Sequence, residues 1–411
     1  MKKFVRLAWR NVWRNRRRSL ITIVAIAFAV LIVAVMRSLQ YGTYDAMESL
    51  AVGLYNGDFQ LQHRGFFEEQ TLNYFLPDEG QEWRAALGQQ PEITAYSRRV
   101  TGFGLVSSDS SSTGALIVGI EPEREKRVTS FAHMVAVGEP LRPADDHAVL
   151  LGQTLATNLQ VGVDDTVVVL TQGYHNEMGA DSYVVKGLLK LGNTELDRGL
   201  MIMLLHNAQD LFSLHHGVTQ IVFRTVDFRH AEQVASSLSR HLNPAEYNLL
   251  SWQKMMPELK QIILVDNIGG AFYLVFLLLV VAFEIFNTTM MSVMERSREF
   301  GVLQSLGMKP GQLGVTVALE STFKVFLGLA IGLALSFAFI SVLSHYSIPL
   351  SREIKEGYAQ YGFMLEDLKF SRHLRVFGEP LFSIALLTVL ALIYPIVKTV
   401  RLEPLEAFRK T

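Results

Sequence analysis

Few residues of this sequence could take part in catalysis, because the common catalytic motifs do not occur. There is no cysteine, which excludes a thiol nucleophile and a cysteine-ligated zinc or iron–sulfur site. No HExxH, GxSxG or strand-linked GxGxxG is present, and residues 301–310 lack the Gly-Lys-Ser/Thr of a phosphate-binding loop. His215 and His216 are adjacent rather than one turn apart, which is typical of surface residues and not of metal ligands. We therefore expect a non-catalytic chain that binds no metal and no cofactor.

Three charged residues lie inside stretches that are otherwise apolar. Glu284 stands alone between Asp266 and Glu295, and Glu320 precedes Lys324 by one helical turn. Charges within a membrane usually face the interior of a helix bundle, where they can form an ion or proton path. No series of further ionisable groups continues from them, so we interpret Glu320 and Lys324 as a neutralising pair near the cytoplasmic end of a span. An ion path is the alternative.

The N-terminal residues combine regular basic spacing with tryptophans. Residues 1–18 contain eight Lys or Arg and no acid. Within them, arginines recur at every fourth position beside two indoles: Arg6, Trp9, Arg10, Trp13 and Arg14. Arginines bind lipid phosphates, and indoles lie at the level of the headgroups. The segment 1–18 is therefore predicted to be a cytoplasmic amphipathic helix on the membrane surface.

A second candidate site is the short polar segment 295–312. Six of its residues are suited to contact a partner, three charged and three apolar: Glu295, Arg298, Glu299, Phe300, Leu303 and Leu306. The three apolar residues are predicted to lie along one side of a short helix. Gly307 stands where a C-cap is expected, and Pro310 follows it. A short, stiff, amphipathic helix of this kind suits docking to a cytosolic partner, and packing on lipid is the alternative.

The elements that must position these residues follow from composition. Of 411 residues, 49% are hydrophobic and 19% are charged, with a mean hydropathy of +0.23. This composition excludes disorder and indicates a few membrane helices beside one sizeable water-soluble portion. Four apolar stretches are long enough to cross a bilayer: residues 19–39, 263–294, 313–344 and 380–398.

The distribution of charge predicts the orientation in the membrane. The basic segment 1–18 precedes the first span, whereas residues 38–266 carry 16 Lys or Arg against 28 Asp or Glu. Positive charge near a span stays in the cytoplasm. Both termini, including the tail 399–411, are therefore predicted to be cytoplasmic. The domain 40–262 and the loop 345–379 are predicted to be extracytoplasmic.

Residues 40–262 are predicted to form an α+β domain. Seven segments that are short, rich in β-branched residues and bounded by turn formers are predicted as strands: 100–108, 113–122, 148–152, 164–172, 182–191, 200–205 and 219–225. Residues 107–113 are predicted as a hairpin turn, Asp227 as a helix N-cap, and 251–270 as an amphipathic lead-in along the membrane surface. The fold class is thus an α-helical membrane protein with four transmembrane helices plus a large extracytoplasmic α+β domain.

Several stretches resemble those of FtsX-like permeases, the membrane subunits of MacB-type (type VII) ABC transporters. ERSREFGVLQSLGMKPGQL is similar to the family's coupling segment, and LAWRNVWRNRRRSLITIVAIAFAV to its N-terminal helix and first span. VRLEPLEAFR is similar to its terminal signature, with Phe408 in place of the usual Leu. In the outer domain, VLLGQTLATNLQVGVDDTVVVL most resembles the lipoprotein-releasing (LolC/LolE-type) branch, with Asp164 and Asp165 in place of Gly-Asp. The resemblance covers nearly the whole chain.

The resemblance implies a permease subunit without chemistry of its own. A separate cytosolic ABC ATPase dimer, which uses ATP and Mg²⁺, would bind the coupling helix 295–312 and move the outer domain through stiff helices, a mechanism called mechanotransmission. The outer domain would have porter-like ends and a sabre-like insert at about 105–205. A second permease chain, identical or different, would complete the unit in a bacterial inner membrane. The cargo would be a lipoprotein, a peptide or another amphipathic molecule, and no nucleic-acid partner is expected.

Two other functions stay open at this point. A related permease could export a peptide, antibiotic or toxin, and a non-transporting member could signal across the membrane to control a cell-wall hydrolase. The two transport functions require a wide apolar cavity between paired outer domains. The signalling function requires an exposed protein-docking surface instead.

Overall fold

The computed structural model describes residues 2–78, 80–360 and 367–401, which fall into two units. A helical unit is built from the chain up to Asp45, from Ile263–Pro349, and from Asp367 onward. A strand-rich unit is built from Ala46–Ile262 and Leu350–Glu366.

The strand-rich unit has short helices, and the helical unit has long ones apart from α12. In chain order they are α1 (Lys2–Arg14), α2 (Arg16–Ala51), α3 (Phe66–Glu69), α4 (Gln81–Leu87), α5 (Pro122–Glu125), α6 (Gln153–Leu159), α7 (Thr194–Gly199), α8 (Leu205–Leu211), α9 (Ala231–Ser239), α10 (Trp252–Met255), α11 (Pro257–Glu295), α12 (Ser297–Ser305), α13 (Pro310–Leu343), α14 (Arg352–Gln360) and α15 (Leu374–Val400). A π-helical turn, Val52–Asn56, continues α2.

In the part of the chain that the structure describes, four helices are long and apolar enough to cross a membrane: α2 with its π-helical turn, α11, α13 and α15. The four predicted membrane helices are therefore confirmed, while the membrane boundaries within them stay predictions. The predicted lead-in 251–270 is not a separate surface helix. The chain leaves the helical conformation at Met256, between α10 and α11, because a residue before proline disfavours it. From Pro257, α11 runs unbroken into the second span.

Helices α2 and α13 approach each other closely, because glycines of α13 face α2. A Cβ added at Gly328 would lie 2.8 Å from Ile26 Cβ, and one at Gly332 would lie 2.7 Å from Val30 Cβ. Small residues at this spacing let membrane helices pack backbone to backbone. Ile26 and Val30 are fully buried in an apolar cluster that also takes side chains from α11 and α15.

The strands are concentrated between residues 59 and 251. In chain order they are β1 (Phe59–His63), β2 (Leu76–Pro77), β3 (Ile93–Ser107), β4 (Ser112–Ile120), β5 (Val135–Gly138), β6 (Ala148–Gly152), β7 (Thr166–Gln172), β8 (Met178–Leu189), β9 (Leu200–Leu204), β10 (Gly217–Val218), β11 (Gln220–Thr225), β12 (Tyr247–Ser251), β13 (Ile348–Pro349) and β14 (Asp367–Leu368).

Among the described residues, ten strands form one sheet, and part of it closes into a ring. Strands β12, β1, β11 and β3 lie side by side as an open antiparallel sheet. In the ring, each strand pairs with the next in the order β3, β4, β9, β6, β8 and β7, and β7 pairs again with β3. The long strand β3 serves both parts, because its first half pairs with β11 and its second half with β7.

Burial differs from strand to strand within the ring. Every residue of β6 and β9 is buried, which explains why these strands are continuous apolar runs. Strand β7 instead alternates strictly between exposed and buried positions, as expected where one face meets water. One apolar cluster of this unit joins residues of β4, β6 and β9 with Phe131.

The seven predicted strands are present. Strand β3 begins seven residues before the predicted start at residue 100, and the other ends shift by at most four residues. Ser108 N–H donates to Ser111 O at 2.8 Å and closes the predicted β3–β4 hairpin. The predicted N-cap is also confirmed, since the Asp227 side chain accepts from Arg229 N–H at 3.1 Å. Of the ten strands in the sheet, the prediction missed β1, β5 and β12. Strands β1 and β12 contain no β-branched residue, and β5 has only four residues.

Candidate functional site at the turn between the second and third spans

Helix α12 is a short, well-defined element between α11 and α13. It begins after Arg296, whose backbone leaves the helical conformation (φ −101°, ψ 8°). At its end, Gly307 has φ +95°, its N–H donates to Gln304 O at 2.9 Å, and Met308 N–H donates to Leu303 O at 3.0 Å. This pair of bonds is a Schellman motif, whose left-handed residue favours glycine. The predicted C-cap at Gly307 is confirmed.

The apolar residues of α12 do not share one face, contrary to the prediction. Phe300 is 2% exposed and packs with side chains of α11 and α13, and Leu303 is half-buried against the same cluster. Leu306 is 79% exposed. Two steps of three residues turn a helix of 3.6 residues per turn by about 120°, so Phe300 and Leu306 point in different directions. Phe300 anchors α12 to its own bundle, and Leu306 is left for solvent or a partner.

Two acids of the turn are ion-paired with N-terminal arginines. Arg18 Nη1 and Nη2 donate to the two carboxylate oxygens of Glu295 at 2.6 and 2.7 Å. Arg14 Nη2 donates to both oxygens of Glu299 at 2.9 and 2.8 Å. The hydrogen bonds from Arg18 lower the pKa of Glu295. Partial burial acts to raise the pKa of Glu299, but Arg14 and Arg296 outweigh it and lower that pKa. Both carboxyl groups are therefore held in their ionised form.

Glu320 and Lys324 form the predicted ion pair, and a third charge joins them. Lys324 Nζ donates to Glu320 Oε1 at 3.0 Å, and Arg296 Nη1 donates to Oε2 at 2.8 Å. Arg296 Nε also donates to Glu299 at 3.2 Å. Charges thus alternate from Arg14 through Glu299, Arg296 and Glu320 to Lys324. The sequence reasoning missed Arg296, and the choice between a structural pair and an ion path stays a prediction.

Glu284 does not belong to this series. Its carboxylate accepts a hydrogen bond from Thr288 Oγ1 at 3.1 Å, and the same hydroxyl lies 2.6 Å from the Glu284 carbonyl oxygen. Within the described ranges, no cationic side chain forms an ion pair with it. Its role in the second span stays a prediction.

Helix α1 lies against the helical bundle. Ala8 and Val12 are fully buried, and the Trp9 ring packs edge-on against Phe323 of α13 with centroids 5.5 Å apart. Other members of the predicted membrane-surface set are exposed: Arg6, Arg10 and Trp13. Contact of these residues with lipid stays a prediction, whereas Arg14 contacts Glu299.

A fully buried ion pair stands out in the strand-rich unit. Arg99 on β3 and Glu125 on α5 are both 0% exposed, with Nη2 and Nε of Arg99 2.5 and 3.1 Å from the Glu125 oxygens. Arg99 Nη1 donates to Tyr55 O at 2.8 Å, in the turn that continues α2. The Tyr55 and Phe131 rings flank the guanidinium at 4.8 and 4.9 Å. Burial acts to raise the pKa of Glu125, but Arg99 outweighs it and holds that pKa below its usual range.

The strand-rich unit contains cavities but no metal-binding cluster among the described residues. No group of three or more His, Asp or Glu side chains is arranged to hold a metal ion in the residues that the structure describes. An open surface cavity of about 630 Å³ lies between α9 and β12, and its lining includes Arg64, Glu232 and Lys254. A smaller cavity of about 210 Å³ is lined by glutamines of β1 and β11 together with Phe66 and Phe103.

Two family matches cover most of the chain. Residues 19–241 match the MacB-like periplasmic core domain, and residues 271–404 match the FtsX-like permease C-terminal domain. The chain belongs to the MacB/FtsX family of ABC transporter permeases. The predicted resemblance and the predicted fold class, four membrane helices with a large α+β periplasmic domain, are both confirmed.

Two sequence relatives and one solved structure are similar to parts or most of this permease. The lipoprotein-releasing system transmembrane protein LolC of Xylella fastidiosa (strain Temecula1) is 25% identical over 309 residues, which are 72% of this chain and 73% of LolC. An uncharacterized ABC transporter permease of Methanocaldococcus jannaschii is 21% identical over 414 residues, 98% of this chain and 97% of its own. The solved periplasmic region of MacB from Actinobacillus actinomycetemcomitans covers 52% of this chain and 95% of its own, with 12% identity and a TM-score of 0.35.

Membership in the family has direct consequences for this permease. It implies an ATPase partner and a dimeric assembly, and permease subunits of the family are generally non-catalytic. With the four apolar helices, it indicates an inner-membrane protein with a periplasmic domain.

Proposed function

We propose that this permease transmits ATP-driven motion from a separate cytosolic ATPase dimer to its periplasmic domain, and thereby releases a lipoprotein or another amphipathic cargo from the membrane. The LolC relative, named as part of a lipoprotein-releasing system, supports this choice of cargo. The ATPase would use ATP and Mg²⁺, and this chain would supply no catalytic group. A second permease chain, identical or different, would complete the unit.

The observation that carries the proposal is helix α12, anchored and capped between two membrane helices. Phe300 fixes its middle to the bundle, and the Schellman motif at Gly307 defines its end. A push on α12 would therefore reach α11 and α13 instead of being absorbed by a flexible loop. Val302 and Leu306, 44% and 79% exposed, offer apolar contact area to the ATPase, and the exposed Arg298 adds a charge.

The proposal places both termini and α12 in the cytoplasm and the strand-rich unit outside. The basic segment 1–18 supports this orientation, and its exposed Arg6 and Arg10 are suited to lipid phosphates. The natural absence of cysteine allows a direct test. In intact cells, Ser110→Cys at the hairpin tip should react with an impermeant thiol reagent, whereas Ser305→Cys should react only after lysis. Labelling of Ser305→Cys from outside would overturn the orientation.

The ATPase contact is tested by a pull-down with Leu306→Glu. Burial of one leucine contributes about 1.5–3 kcal/mol, so the loss of this contact should weaken ATPase binding at least about tenfold. Leu374→Glu is a matched control, because Leu374 is 88% exposed and begins α15 at the end of the predicted extracytoplasmic loop. Full ATPase binding by Leu306→Glu would remove α12 from the docking surface.

The cargo is tested in proteoliposomes that contain the permease, its ATPase and one candidate substrate. A triacylated lipoprotein should be released on addition of ATP, and its unacylated form should not. Release of an unacylated peptide instead would favour the efflux function. ATP hydrolysis that moves the periplasmic domain without releasing either substrate would favour the signalling function.

A further inference from the structure

We propose that the N-terminal helix is a brace for the coupling helix, in which Arg14 and Arg18 act as positioning residues. The brace is defined as α1 together with two ion pairs, Arg14–Glu299 and Arg18–Glu295. All contacts of the brace lie within this chain, so we expect it to form without the ATPase or a second permease chain. Its consequence for ATP-driven transport rests on the function proposed above.

The first step of the argument is that α1 has a fixed position in the helical unit. Ala8 and Val12 are fully buried, and Trp9 contacts Phe323 on α13. At the break between α1 and α2, the buried Ser19 hydroxyl donates to Val12 O at 2.6 Å. Arg14, which ends α1, and Arg18, in the first turn of α2, are thus presented by backbone that is itself packed.

The second step is that the two arginines contact acids on either side of the junction between α11 and α12. Arg18 binds Glu295, the last residue of α11, with its two terminal guanidinium nitrogens, the geometry that gives the strongest carboxylate contacts. Arg14 binds Glu299, in the first turn of α12. The two acids flank the non-helical Arg296, so the brace fixes the angle at which α12 leaves α11.

The third step is that the brace continues into the membrane helices. Arg296 links Glu299 to Glu320 on α13, and Glu320 is paired in turn with Lys324. Isolated surface ion pairs contribute little, but a connected network of alternating charges holds its members more firmly. Glu295 and Glu299 were predicted to contact the ATPase. Because both carboxylates are already paired with arginines of the same chain, we assign them to the brace and not to the ATPase contact.

The test is hydrogen exchange of the full-length permease in detergent without ATPase. Arg18→Glu should raise exchange at the backbone amides of α12 by about threefold or more, the effect of breaking one well-aligned pair in a network. Arg18→Glu combined with Glu295→Arg should restore the parental rate, because the pair is re-formed with reversed charges. Arg17→Glu is the matched control, since Arg17 is exposed and forms no ion pair among the described residues. Strand β3 should exchange equally in all variants, which shows that the chain is folded.

An unchanged rate in Arg18→Glu, or a swap that fails to restore it, would overturn the brace. A second measurement with the ATPase separates this inference from the proposed function. If the brace transmits motion, Arg18→Glu should still bind the ATPase but release less cargo per ATP, and the swap should recover release. Loss of binding only in the swap would assign Glu295 to the ATPase contact, and loss in both variants would assign Arg18 to it. Either result would overturn the assignment of this ion pair to the brace. If the parental permease binds no ATPase, the proposed function fails while the exchange result stands.

Discussion

Removing one partner of the buried Arg99–Glu125 pair should destabilise the strand-rich unit far more than replacing both. Glu125→Leu leaves a guanidinium that is 0% exposed and keeps its charge at any accessible pH. An uncompensated buried charge costs about 3–5 kcal/mol. Arg99→Met leaves a carboxyl group that can take up a proton. Its charge penalty at pH 7 is therefore limited to about 4 kcal/mol, because protonation costs about 1.4 kcal/mol for each of the roughly 2.7 pH units above the ordinary glutamate pKa.

The double variant Arg99→Met with Glu125→Leu carries no buried charge. Two buried polar groups then lose their partners: the Tyr55 carbonyl oxygen no longer accepts from Arg99, and the Thr129 hydroxyl no longer donates to Glu125. A buried polar group that stays without a partner costs about 1–3 kcal/mol. Replacement of a buried pair by apolar residues of similar volume is often neutral or stabilising. We therefore expect the double variant to lie within about 2 kcal/mol of the parent, well above Glu125→Leu.

The pH dependence should reverse sign between the parent and Arg99→Met. In the parent, Arg99 holds the pKa of Glu125 below its usual range. Its stabilisation is complete above the unfolded pKa of about 4.3 and is lost as pH falls through the lower folded value. In Arg99→Met, burial without a cation raises the pKa of Glu125. Stability is then greatest below about pH 4.3 and falls as pH rises toward the raised pKa.

Urea titration of the full-length permease in detergent, read out by pulse proteolysis of the strand-rich unit, measures all four proteins. The parent, the two single variants and the double variant form a double-mutant cycle. Equal destabilisation of the double variant and Glu125→Leu would refute the reasoning, because the loss would then arise from packing and not from an unpaired charge. A parallel pH dependence of Arg99→Met and the parent would refute the electrostatic part separately.

Three further predictions concern the helical unit. Gly307→Val should loosen α12 more than Gly307→Ala, seen as faster hydrogen exchange. Open space surrounds Gly307, so only its positive φ resists a side chain, at about 1–2 kcal/mol for alanine and more for a β-branched residue. Glu320→Leu with Lys324→Leu should lower the thermal stability of the permease, since Arg296 loses a carboxylate partner, and adding Arg296→Met should recover part of it; an unaffected double variant would contradict this. Gly332→Leu should separate α2 from α13 and lower thermal stability by several degrees in a detergent melt, whereas equal stability would show that the close approach is not required.

The sequence was sufficient where a local pattern decides the structure. Apolar runs of sufficient length predicted the four membrane helices, and β-branched runs predicted seven strands. Gly307 was identified as a cap because a Schellman motif needs only neighbouring residues. Strands β1 and β12 were missed, since their Gln and Asn positions do not resemble strand composition and each is stabilised by the other.

The candidate site was only partly predictable, because its contacts are distant in the chain. The residues of α12 were identified, but the prediction that the apolar side chains share one face was wrong, because residues three positions apart are rotated by about 60° around the helix axis. Arg18 pairs with Glu295 across 277 residues, and Arg14 with Glu299 across 285. No periodic pattern in the sequence indicates a pairing between residues so far apart in the chain. The same applies to Arg99 and Glu125, which lie on a strand and a helix that the sequence did not connect.

The position of β1 in the open sheet sets an order for the biogenesis of this permease. Strand β1 leaves the ribosome early, but both of its neighbours, β11 and β12, are made long after it. At about 5–20 residues per second, the roughly 190 residues from β1 to the end of β12 take on the order of 10–40 s to synthesise. The ring that β3 closes with β4, β9, β6, β8 and β7 can assemble during this interval, while Phe59 and Leu61 of β1 have no paired strand. The nascent periplasmic domain is therefore exposed to aggregation and proteolysis at its first strand until β12 emerges, just before α11 enters the insertion machinery.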